Sequence, residues 1–499
     1  MNIKRLAILW LVLSLISLGV PAISSAQIGP TVRYPGVYIE EIDPQAPIPE
    51  IDTAVPAFIG YTERAELNGQ PVTKPQLIDS LAAFEQIFGG APPLTYLIHE
   101  TPAGDRADFE IGGTDYSLSL SAASQHFYLY HSLRHYFANG GGEAYITSIG
   151  TYSSVVESSA FSAGLQQVRS LDRPKPTLLL APDALLLNEA DYYSVADEML
   201  AQSAELGDRF AIIDVYRGDQ ALSADPITAH RNGLGTQNLR YGASYYPFLA
   251  ASVVQTDEIT RNHIAEIGCG LWLSDILGDD VDGPDAEAIL AGDDFGKIKK
   301  AIARRMNLLP PGPAIAGVYT AIDETRGVWK SPANVDLVAT VAPVVSIGNA
   351  EQAALNVDAA TGKSVNAIRA FQGRGAATVW GARTLDGNSA EGRYVSVQRT
   401  LMMIEEAASQ ITESYAFSAN DATSWAGVKS AMDTYLQTLF REGALQGATP
   451  SEAYSVLVGL GSTMTAADID AGILRAEVLV ALTRPAEFMV VRVEQKMAE

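Results

Sequence analysis

The chain has 499 residues, a formal net charge of −24 at pH 7 and a sequence pI of about 4.6, with 47% apolar and 18% charged residues. This length allows two or three domains, and the composition is that of a globular protein. The acidic balance argues against a dominant nucleic-acid surface, because phosphate binding needs a basic footprint. One cysteine, Cys269, excludes an internal disulfide framework and a multi-cysteine metal site.

The first 26 residues have the layout of a secretory signal. Lys4 and Arg5 precede an apolar run, Leu6–Val20, and Ala26 lies where a small residue precedes a cleavage point. The run is about 15 residues long, which is short for a membrane span of roughly 20. The pattern therefore predicts a cleavable signal rather than a permanent anchor.

Residues 27–53 predict an extended arm. The alternation in Tyr34–Glu41 is typical of a strand, and Pro44, Pro47 and Pro49 follow it, where a central strand could not continue. A strand separated from its own domain by a stiff spacer needs an outside partner for its backbone groups.

The next part of the chain alternates strands with helices. Such alternation predicts an α/β fold, mixed in places with α+β, around a largely buried parallel sheet. The predicted elements are a strand at Ala54–Thr62, a helix at Gln76–Phe88 ending at Gly89, an irregular insertion at 91–125, a helix at Ser124–Phe137, the strands EAYITSIG, TLLLAPDAL, RFAIIDVY and IGCGLWL, and helices at Ala190–Glu205 and near Asp257.

The passage Leu308–Asn334 is rich in proline and glycine, and it interrupts the alternation of strands and helices. After it we expect a strand containing Thr378–Ala382, helices at Arg393–Ala416 and Ser424–Arg441, and a last strand in EFMVVRVEQKM.

Two motifs that suggest small-molecule chemistry fail on spacing. ATGKS supplies Gly-Lys-Ser, but Val357 stands where a phosphate-binding loop needs its first glycine. His131 and His135 lie four apart on one helix face, but Ser132 replaces the glutamate that a zinc protease needs there. Aromatic neighbours favour packing for both histidines. No G-x-S-x-G elbow is present in the sequence, and the abundant carboxylates leave paired-acid catalysis open without selecting a pair.

The main basic cluster is GKIKKAIARR, Gly296–Arg305, a predicted helix with Lys297, Lys300 and Arg304 on one side. Two interpretations stay open: a solvated face, or a contact for the acidic patch of a partner.

Eight segments resemble one family. In the family's order, from about residue 32 to the last residue, they are similar to the tail sheath proteins of contractile phage tails and related bacterial contractile injection systems. The resemblance implies a helical polymer of sheath subunits around an inner tube, whose contraction drives the tube through a target envelope. The segments are VRYPGVYIEE, YFANGGGEAYI, YGASYYPFL, GVYTAIDETRGVWKSPAN, AIRAFQGRGAATVWGARTL, RYVSVQRTLMMIEEA, REGALQGATPSEAY and LTRPAEFMVVRVEQKM.

The resemblance also implies that both chain ends pair with neighbouring subunits as added strands, in heterologous contacts that generate an open helix. The matching pieces are the N-terminal arm within residues 27–53 and a C-terminal arm at residues 486–499. The expected arm residues are Tyr34, Pro35, Gly36, Val37, Tyr38, Ile39 and Glu40, with Phe488, Met489, Val490, Val491, Arg492 and Val493.

Between the arms, the resemblance implies sheath α/β domains over residues 54–335 and a tube-facing C-terminal domain over residues 336–485. The stretch AIRAFQGRGAATVWGARTL lies in the second. There we expect Trp380 to make a large core contact, and Arg369, Arg374 and Arg383 to pair with carboxylates between subunits or domains. Gly373, Gly375 and Gly381 would allow close backbone approach.

The implied partners are the chain itself, an inner tube protein, and baseplate and terminator proteins. We expect no enzyme activity, catalytic residue, metal, cofactor or nucleic acid. Sheaths of this family begin near the YPGVY arm and assemble in the cytoplasm, so residues 1–26 depart from the pattern. A mis-assigned start would give a cytoplasmic particle or virion, whereas real export or membrane tethering would give another compartment.

Two other functions stay open. An exported polymeric surface protein could use the sheath fold without contraction. A secreted α/β hydrolase would fit the signal-like N-terminus and the alternating strands, although the nucleophile elbow is missing from the sequence.

Overall fold

The computed structural model describes residues 49–171, 174–265, 270–278, 281 and 285–487. These residues belong to the second of two compact units into which the chain divides, Gln45–Glu499. The signal-like segment 1–26, the N-terminal arm strand Tyr34–Glu41, Cys269 and the C-terminal arm residues Phe488–Val493 lie outside the described residues.

The described residues form nineteen strands. In chain order they are β1 (Pro56–Thr62), β2 (Glu66–Leu67), β3 (Gln70–Pro71), β4 (Gln76–Ile78), β5 (Tyr96–Glu100), β6 (Phe109–Ile111), β7 (Thr114–Leu120), β8 (Ala144–Thr151), β9 (Leu178–Leu180), β10 (Phe210–Asp214), β11 (Gly242–Tyr246), β12 (Leu249–Ala251), β13 (Leu308–Leu309), β14 (Val335–Asp336), β15 (Thr340–Pro343), β16 (Asn366–Arg369), β17 (Thr378–Val379), β18 (Tyr454–Val458) and β19 (Ala476–Val480).

The same residues form fourteen α-helices. They are α1 (Leu81–Phe88), α2 (Leu129–Ala138), α3 (Ser158–Arg169), α4 (Glu189–Leu206), α5 (Pro226–Gly233), α6 (Leu273–Leu277), α7 (Ala286–Leu290), α8 (Asp293–Met306), α9 (Gly312–Arg326), α10 (Asn349–Asn356), α11 (Val395–Glu413), α12 (Ala422–Glu442), α13 (Pro450–Ala453) and α14 (Ala466–Asp470).

A nine-stranded sheet in the order β14-β17-β16-β11-β10-β9-β1-β8-β4 forms the centre of the body. The six strands from β16 to β8 run parallel, and β4, β17 and β14 add antiparallel edges. β1, β10 and β11 are buried along their whole length, as expected of parallel strands covered on both faces. The predicted α/β class is confirmed.

Two cores form on the two faces of this sheet because side chains alternate along each strand. Phe58 of β1 packs in the core that contains residues of α2 and α9, and its neighbour Ile59 packs in the core that contains residues of α3 and α4. The strand predicted at Ala54–Thr62 is thus a central, two-sided strand.

Three predicted boundaries differ from the structure. The first helix begins at Leu81 rather than Gln76, because the Ser80 side chain accepts a hydrogen bond from the Ala83 amide and residues 76–78 pair as β4. The segment 91–125, predicted to be irregular, carries the antiparallel sheet β5-β7-β6. The second helix begins at Leu129 rather than Ser124.

A buried carboxylate fixes the start of this second helix, α2. Asp183 accepts hydrogen bonds from the amides of Tyr128 (2.6 Å), Leu129 (3.1 Å) and Tyr61 (2.7 Å), so it joins the α2 N-terminus to β1. Burial raises the pKa of Asp183 to about 6 although these amides favour the ionised form.

Other elements were mispredicted or missed. The chain near Asp257 forms a turn instead of a helix. The α-helices on either side of it are α5, which ends at Gly233, and α6, which begins at Leu273. The Pro/Gly-rich passage contains α9, whose face buries Ile315 and Tyr319 against the sheet. Of the predicted strand IGCGLWL, residues 267–269 lie outside the described part, and Leu273 begins α6.

The C-terminal part packs α11, α12 and the β18–β19 hairpin into a core of their own. The predicted helices Arg393–Ala416 and Ser424–Arg441 correspond closely to α11 and α12. β14, β16 and β17 lie at or beyond the predicted boundary at 335/336 yet belong to the central sheet, and that boundary stays a prediction. Within the described ranges, no helix is both long and apolar enough to cross a bilayer.

The buried histidine His131 generates a pH prediction. Its side chain is 1% exposed, neither ring nitrogen has a hydrogen-bond partner among the described residues, and burial lowers its pKa to about 3. The unfolded chain takes up a proton at this residue below its ordinary pKa of 6.5, whereas the folded chain does not. Stability is therefore lost as the pH falls from 6.5 towards 3.

We predict that His131→Gln reduces the loss of unfolding free energy between pH 7 and pH 5 by about 2 kcal/mol, since one proton over about 1.5 pH units is worth roughly that amount. Urea titrations at the two pH values measure it. An equal pH dependence in His131→Gln and the parent would contradict the prediction.

Candidate assembly interface

The chain enters the body next to a buried ion pair. Arg399 of α11 binds Asp323 of α9 through both terminal nitrogens, at 3.1 and 2.5 Å, and the two side chains are 3% and 6% exposed. Thr53 joins the pair: its hydroxyl donates to Asp323 at 2.7 Å, and its carbonyl accepts from Arg399 at 2.7 Å. We call these three residues the N-terminal clamp.

The N-terminal clamp also reaches the central sheet. The Arg399 guanidinium lies 4.7 Å from the centre of the Tyr319 ring, and the Tyr319 hydroxyl is 2.7 Å from that of Tyr245 on β11. A buried ion pair is tolerated only when most of its hydrogen-bonding groups are satisfied, and this network provides those partners. The position of Thr53 is thereby tied to α9, α11 and the sheet.

The chain leaves the described body at a second arginine. Arg383 is 4% exposed and binds Glu487 in a bidentate pair, Nε to Oε1 at 2.8 Å and Nη2 to Oε2 at 2.6 Å. Asn356 and the Tyr394 hydroxyl donate to the same carboxylate at 2.8 and 3.2 Å. Burial opposes ionisation, but these hydrogen bonds hold the pKa of Glu487 below its usual range. We call this group the C-terminal clamp.

The local sequence explains how Arg383 is held. Asn366 of β16 accepts from the Arg383 amide at 2.8 Å and donates to the Arg383 carbonyl at 2.7 Å. A Cβ atom at Gly381 would lie 2.8 Å from the Asn366 side-chain oxygen, so glycine is needed for this approach. One at Gly375 would lie 2.6 Å from Asp336, whereas Gly373 is in open space and adopts a φ of +78°.

The other residues predicted in the stretch AIRAFQGRGAATVWGARTL lie apart from the C-terminal clamp. Trp380, expected in the core, is half-buried and packs on Phe371, with ring centres 4.6 Å apart. Arg374 lies over both rings, 3.9 Å from the nearest Asp336 oxygen, and Arg369 binds Gln352 at 2.5 Å. Only Arg383 of the three predicted arginines forms a bidentate carboxylate pair.

The β18–β19 hairpin is the third feature. It is a two-stranded sheet, so no described strand borders the outer edge of β19. β18 faces α12, where the Lys429 ammonium donates to the Val456 carbonyl at 2.6 Å. A groove of about 750 Å³ runs between β19 and the C-terminal half of α11. We call it the β19 groove; its lining includes Glu405, Ala408, Glu413, Phe417, Leu474, Glu477 and Val478.

The lysine of the ATGKS motif is part of the packed body. The Lys363 ammonium of ATGKS is buried and donates to the carbonyls of Arg231 and Leu234, both at 2.5 Å, and burial lowers its pKa. Within the described residues, no group of three or more histidine, cysteine, aspartate or glutamate side chains is placed to hold a metal ion.

The basic helix α8 exposes Lys297, Lys300 and Arg304 as predicted. Two of its cations pair with local acids, Lys297 with Asp294 at 2.7 Å and Arg305 with Asp108 at 2.8 Å, and Arg304 donates to the Asp108 backbone carbonyl. The two interpretations, a solvated face and a contact for the acidic patch of a partner, both stay open.

Sequence reasoning missed Arg399, Asp323 and Glu487. Arg399 and Asp323 occupy helix positions that a periodic pattern marks as inward-facing, so a charged residue on the apolar face of each helix was the available signal. The partner of each residue could not be read from the sequence, because 76 residues separate the first pair and 104 separate Arg383 from Glu487.

Comparison with known proteins identifies the class. The family model of the phage tail sheath C-terminal domain matches residues 389–496. Structures of the anti-feeding prophage helical sheath in the contracted state (26% identity, TM-score 0.61) and of the anti-feeding prophage baseplate (26%, 0.59) match 93% and 94% of this chain and all of the matched chains.

A contracted sheath complex of the PVC extracellular contractile injection system has the same fold, at 24% identity and a TM-score of 0.59 over 94% of this chain and 99% of that one. No protein in a search of curated sequences matches significantly. The predicted resemblance is confirmed: residues 389–496 match the phage tail sheath C-terminal domain, and the chain has the fold of contractile injection system sheath proteins. The roles assigned to its arm and contact residues stay predictions.

We predict that Arg399→Met lowers the free energy of unfolding by about 3–5 kcal/mol, because it leaves Asp323 as an uncompensated buried charge. Chemical denaturation measures the change. Arg169→Met, which breaks an exposed pair with Glu205, is the matched control and should change stability little.

Adding Asp323→Leu to Arg399→Met should recover part of the loss, since the unpaired charge is then removed. An Arg399→Met protein as stable as the parent would contradict the role of the clamp.

Proposed function

We propose that this chain is the structural subunit of a helical contractile sheath that surrounds an inner tube and contracts to drive it through a target envelope. One observation carries the proposal: buried arginines fix the residues from which both predicted arms depart, and a hairpin with an open strand edge lies on the same body. The sheath C-terminal domain and the matches to anti-feeding prophage sheath structures support it.

The geometry favours pairing of the C-terminal arm with a neighbour. Glu487 is held by Tyr394, the N-cap of α11, whereas the β19 groove lies beside Glu405–Glu413, roughly 16–28 Å further along that helix. Covering this distance takes about five to eight extended residues, which is about the length of the predicted arm strand Phe488–Val493 itself. Arm residues used to cover the distance could not also pair along β19 of the same subunit.

A neighbouring copy can supply the missing strand instead. Strand addition joins main-chain donors and acceptors along the open edge, and each hydrogen bond contributes roughly 0.5–1.5 kcal/mol. Since donor arm and acceptor hairpin are different surfaces, the contact is heterologous, and it propagates as an open helix when the rotation between subunits does not close a ring. The proline-rich spacer after Tyr34–Glu41 lets the N-terminal arm reach a second neighbour.

Contraction in this account needs no nucleotide. The arms keep the subunits linked while their bodies rotate, and the work comes from burying more inter-subunit surface in the shortened state. The extended state is then a kinetically trapped form.

The proposed role is non-catalytic and needs no cofactor. The proposed partners are further copies, an inner tube protein, and baseplate and terminator proteins; two matched structures are of an anti-feeding prophage baseplate. The proposed location is a cytoplasmic particle or virion. The signal-like residues 1–26 favour one alternative, an exported polymer that uses the sheath fold without contraction.

We predict that deleting residues 1–42 leaves a body of unchanged thermal stability that forms no long tubular polymers, because one set of intermolecular strands is lost while the N-terminal clamp at Thr53 remains. Electron microscopy and thermal unfolding measure the two properties. Deletion of residues 1–26 alone is the control, since it spares the arm strand and should allow polymers. Normal long sheaths from the larger deletion would refute the arm assignment.

A further inference from the structure

The basic side of α8 lines a groove that the proposed function does not use. The groove has a volume of about 700 Å³ and lies between α8 and the strands β6, β12 and β15. Lys297, Lys300 and Arg304 line it, together with the buried Val254 and with Val341, which is 63% exposed. We call this surface the basic groove. It offers a partner both apolar contact and positive charge.

The basic groove has a positive balance on a chain whose net charge is −24. Three positive side chains line it against two negative ones, Asp108 and Glu110, for a net charge of +1. Two ion pairs reach residues outside the lining, Asp108 with Arg305 and Lys297 with Asp294. They add one positive and one negative charge, so the balance stays at +1.

Two cations of the basic groove lack a carboxylate partner among the described residues. Lys300 forms no ion pair there, and Arg304 donates to a backbone carbonyl, that of Asp108. A guanidinium has five N–H donors, so Arg304 keeps donors for another partner. Lys300 lies in the middle of α8, where the helix macrodipole gives a cation no advantage.

An acidic block stands directly before α8 in the sequence. Residues 279–294, DDVDGPDAEAILAGDD, contain seven acidic side chains and no lysine or arginine, for a net charge of −7. Residues 297–305, KIKKAIARR, contain five basic and no acidic side chains, for a net charge of +5. Blocks of like charge are often interaction segments. We call residues 279–294 the acidic segment.

Three carboxylates of the acidic segment are exposed and available. Asp285, Glu287 and Asp293 form no ion pair among the described residues. Asp293 lies in the first turn of α8, where negative charge stabilises a helix N-terminus, but Asp285 and Glu287 precede the helix. Lys300 and Arg304 lie about 10 and 16 Å beyond Asp293 along the helix axis. The unpaired acids and the unpaired cations are therefore separated along α8.

We infer that the acidic segment of one copy docks in the basic groove of a neighbouring copy, as a charge-paired contact separate from the two arms. This inference rests on the proposed function, because it requires a polymer, and it adds a second kind of contact between subunits. Exposed charge pairs contribute roughly 0.2–1 kcal/mol each. Such a contact orients neighbouring subunits, and it can break when their bodies rotate while the arms keep them linked.

Charge reversal tests the pairing. Lys300→Glu/Arg304→Glu and, separately, Asp285→Lys/Glu287→Lys should each raise the subunit concentration needed for polymerisation about tenfold, because attraction becomes repulsion. Sedimentation and electron microscopy measure the polymers, and thermal unfolding checks that each variant is folded. Lys300→Glu alone should give a smaller effect of the same sign, which keeps the test valid if a double variant is unstable.

Restoration separates a contact between copies from docking within one copy. An equimolar mixture of the two double variants should polymerise like the parent, because each reversed surface then meets its reversed counterpart on the other variant. The four substitutions in one chain should also restore assembly. Restoration in the single chain but not in the mixture would mean docking within a copy, and it would overturn the inference.

The matched control changes the same amount of charge elsewhere. Glu100→Lys/Asp105→Lys reverses two exposed acids at and after the end of β5, outside the acidic segment. Mixed with Lys300→Glu/Arg304→Glu, this variant should not restore assembly. Restoration by it would show an effect of net charge alone and would overturn the inference.

Salt provides a readout that a packing defect would not change. The difference in assembly between Lys300→Glu/Arg304→Glu and the parent should shrink as NaCl rises from about 50 mM to about 500 mM, because salt screens exposed charges. A difference that does not depend on salt would contradict the charge-paired contact.

Cysteine cross-linking checks proximity independently of charge. In a Cys269→Ala background, Lys300→Cys with Glu287→Cys should give ladders of covalent multimers with a short bismaleimide, and Lys300→Cys with Ile39→Cys should give none. Ladders only from the second pair would assign the basic groove to the N-terminal arm and overturn the inference, as would cross-linked monomers without ladders from the first pair.

The two levels of the account fail differently. Equal assembly by all charge variants would overturn the docking of the acidic segment and leave arm exchange intact. Failure of the parent chain to form any polymer, with or without tube protein, would instead contradict the proposed function.

Discussion

The buried pair between Arg399 and Asp323 is the interaction on which the rest of the account depends. It costs desolvation energy, and the geometry offsets that cost by using both charges to hold the backbone and hydroxyl of Thr53. The chain is thereby fixed where it enters the central sheet as β1. In the proposed function, an arm can transmit force between subunits only if the residue from which it departs, here Thr53, is fixed in place.

The C-terminal clamp also uses a buried arginine–carboxylate pair, Arg383 with Glu487. Arg383 forms an isolated antiparallel bridge with Tyr394, its backbone is held by Asn366 beside Gly381, and its guanidinium binds Glu487. Both clamps are therefore held by guanidinium–carboxylate pairs, which are bidentate and directional. Between them, the parallel sheet with helices on both faces supplies a rigid body. In the proposed function, the β18–β19 hairpin and α11 form the surface that receives a neighbour's strand.

Much of the fold could be predicted from the sequence, because apolar runs such as PAFIGYT and FAIID mark buried parallel strands and the 3.6-residue period marks α4, α11 and α12. The antiparallel sheet at 96–120 was missed because its strands are short and half-polar, and α9 was hidden by the prolines at its start. The clamps could not be predicted, since Thr53, Asp323 and Arg399 meet only after the sheet has formed. The arginine stretch suggested carboxylate pairing, but which arginine pairs depends on the close approach at Gly381.

The most direct measurement is a cryo-electron microscopy map of the assembled polymer at a resolution that traces the backbone. The account predicts that a strand from another subunit lies along β19, with its chain leading back to an Arg383–Glu487 clamp in that neighbour. A map in which both ends of each chain fold onto their own subunit, with the β19 edge empty, would contradict it.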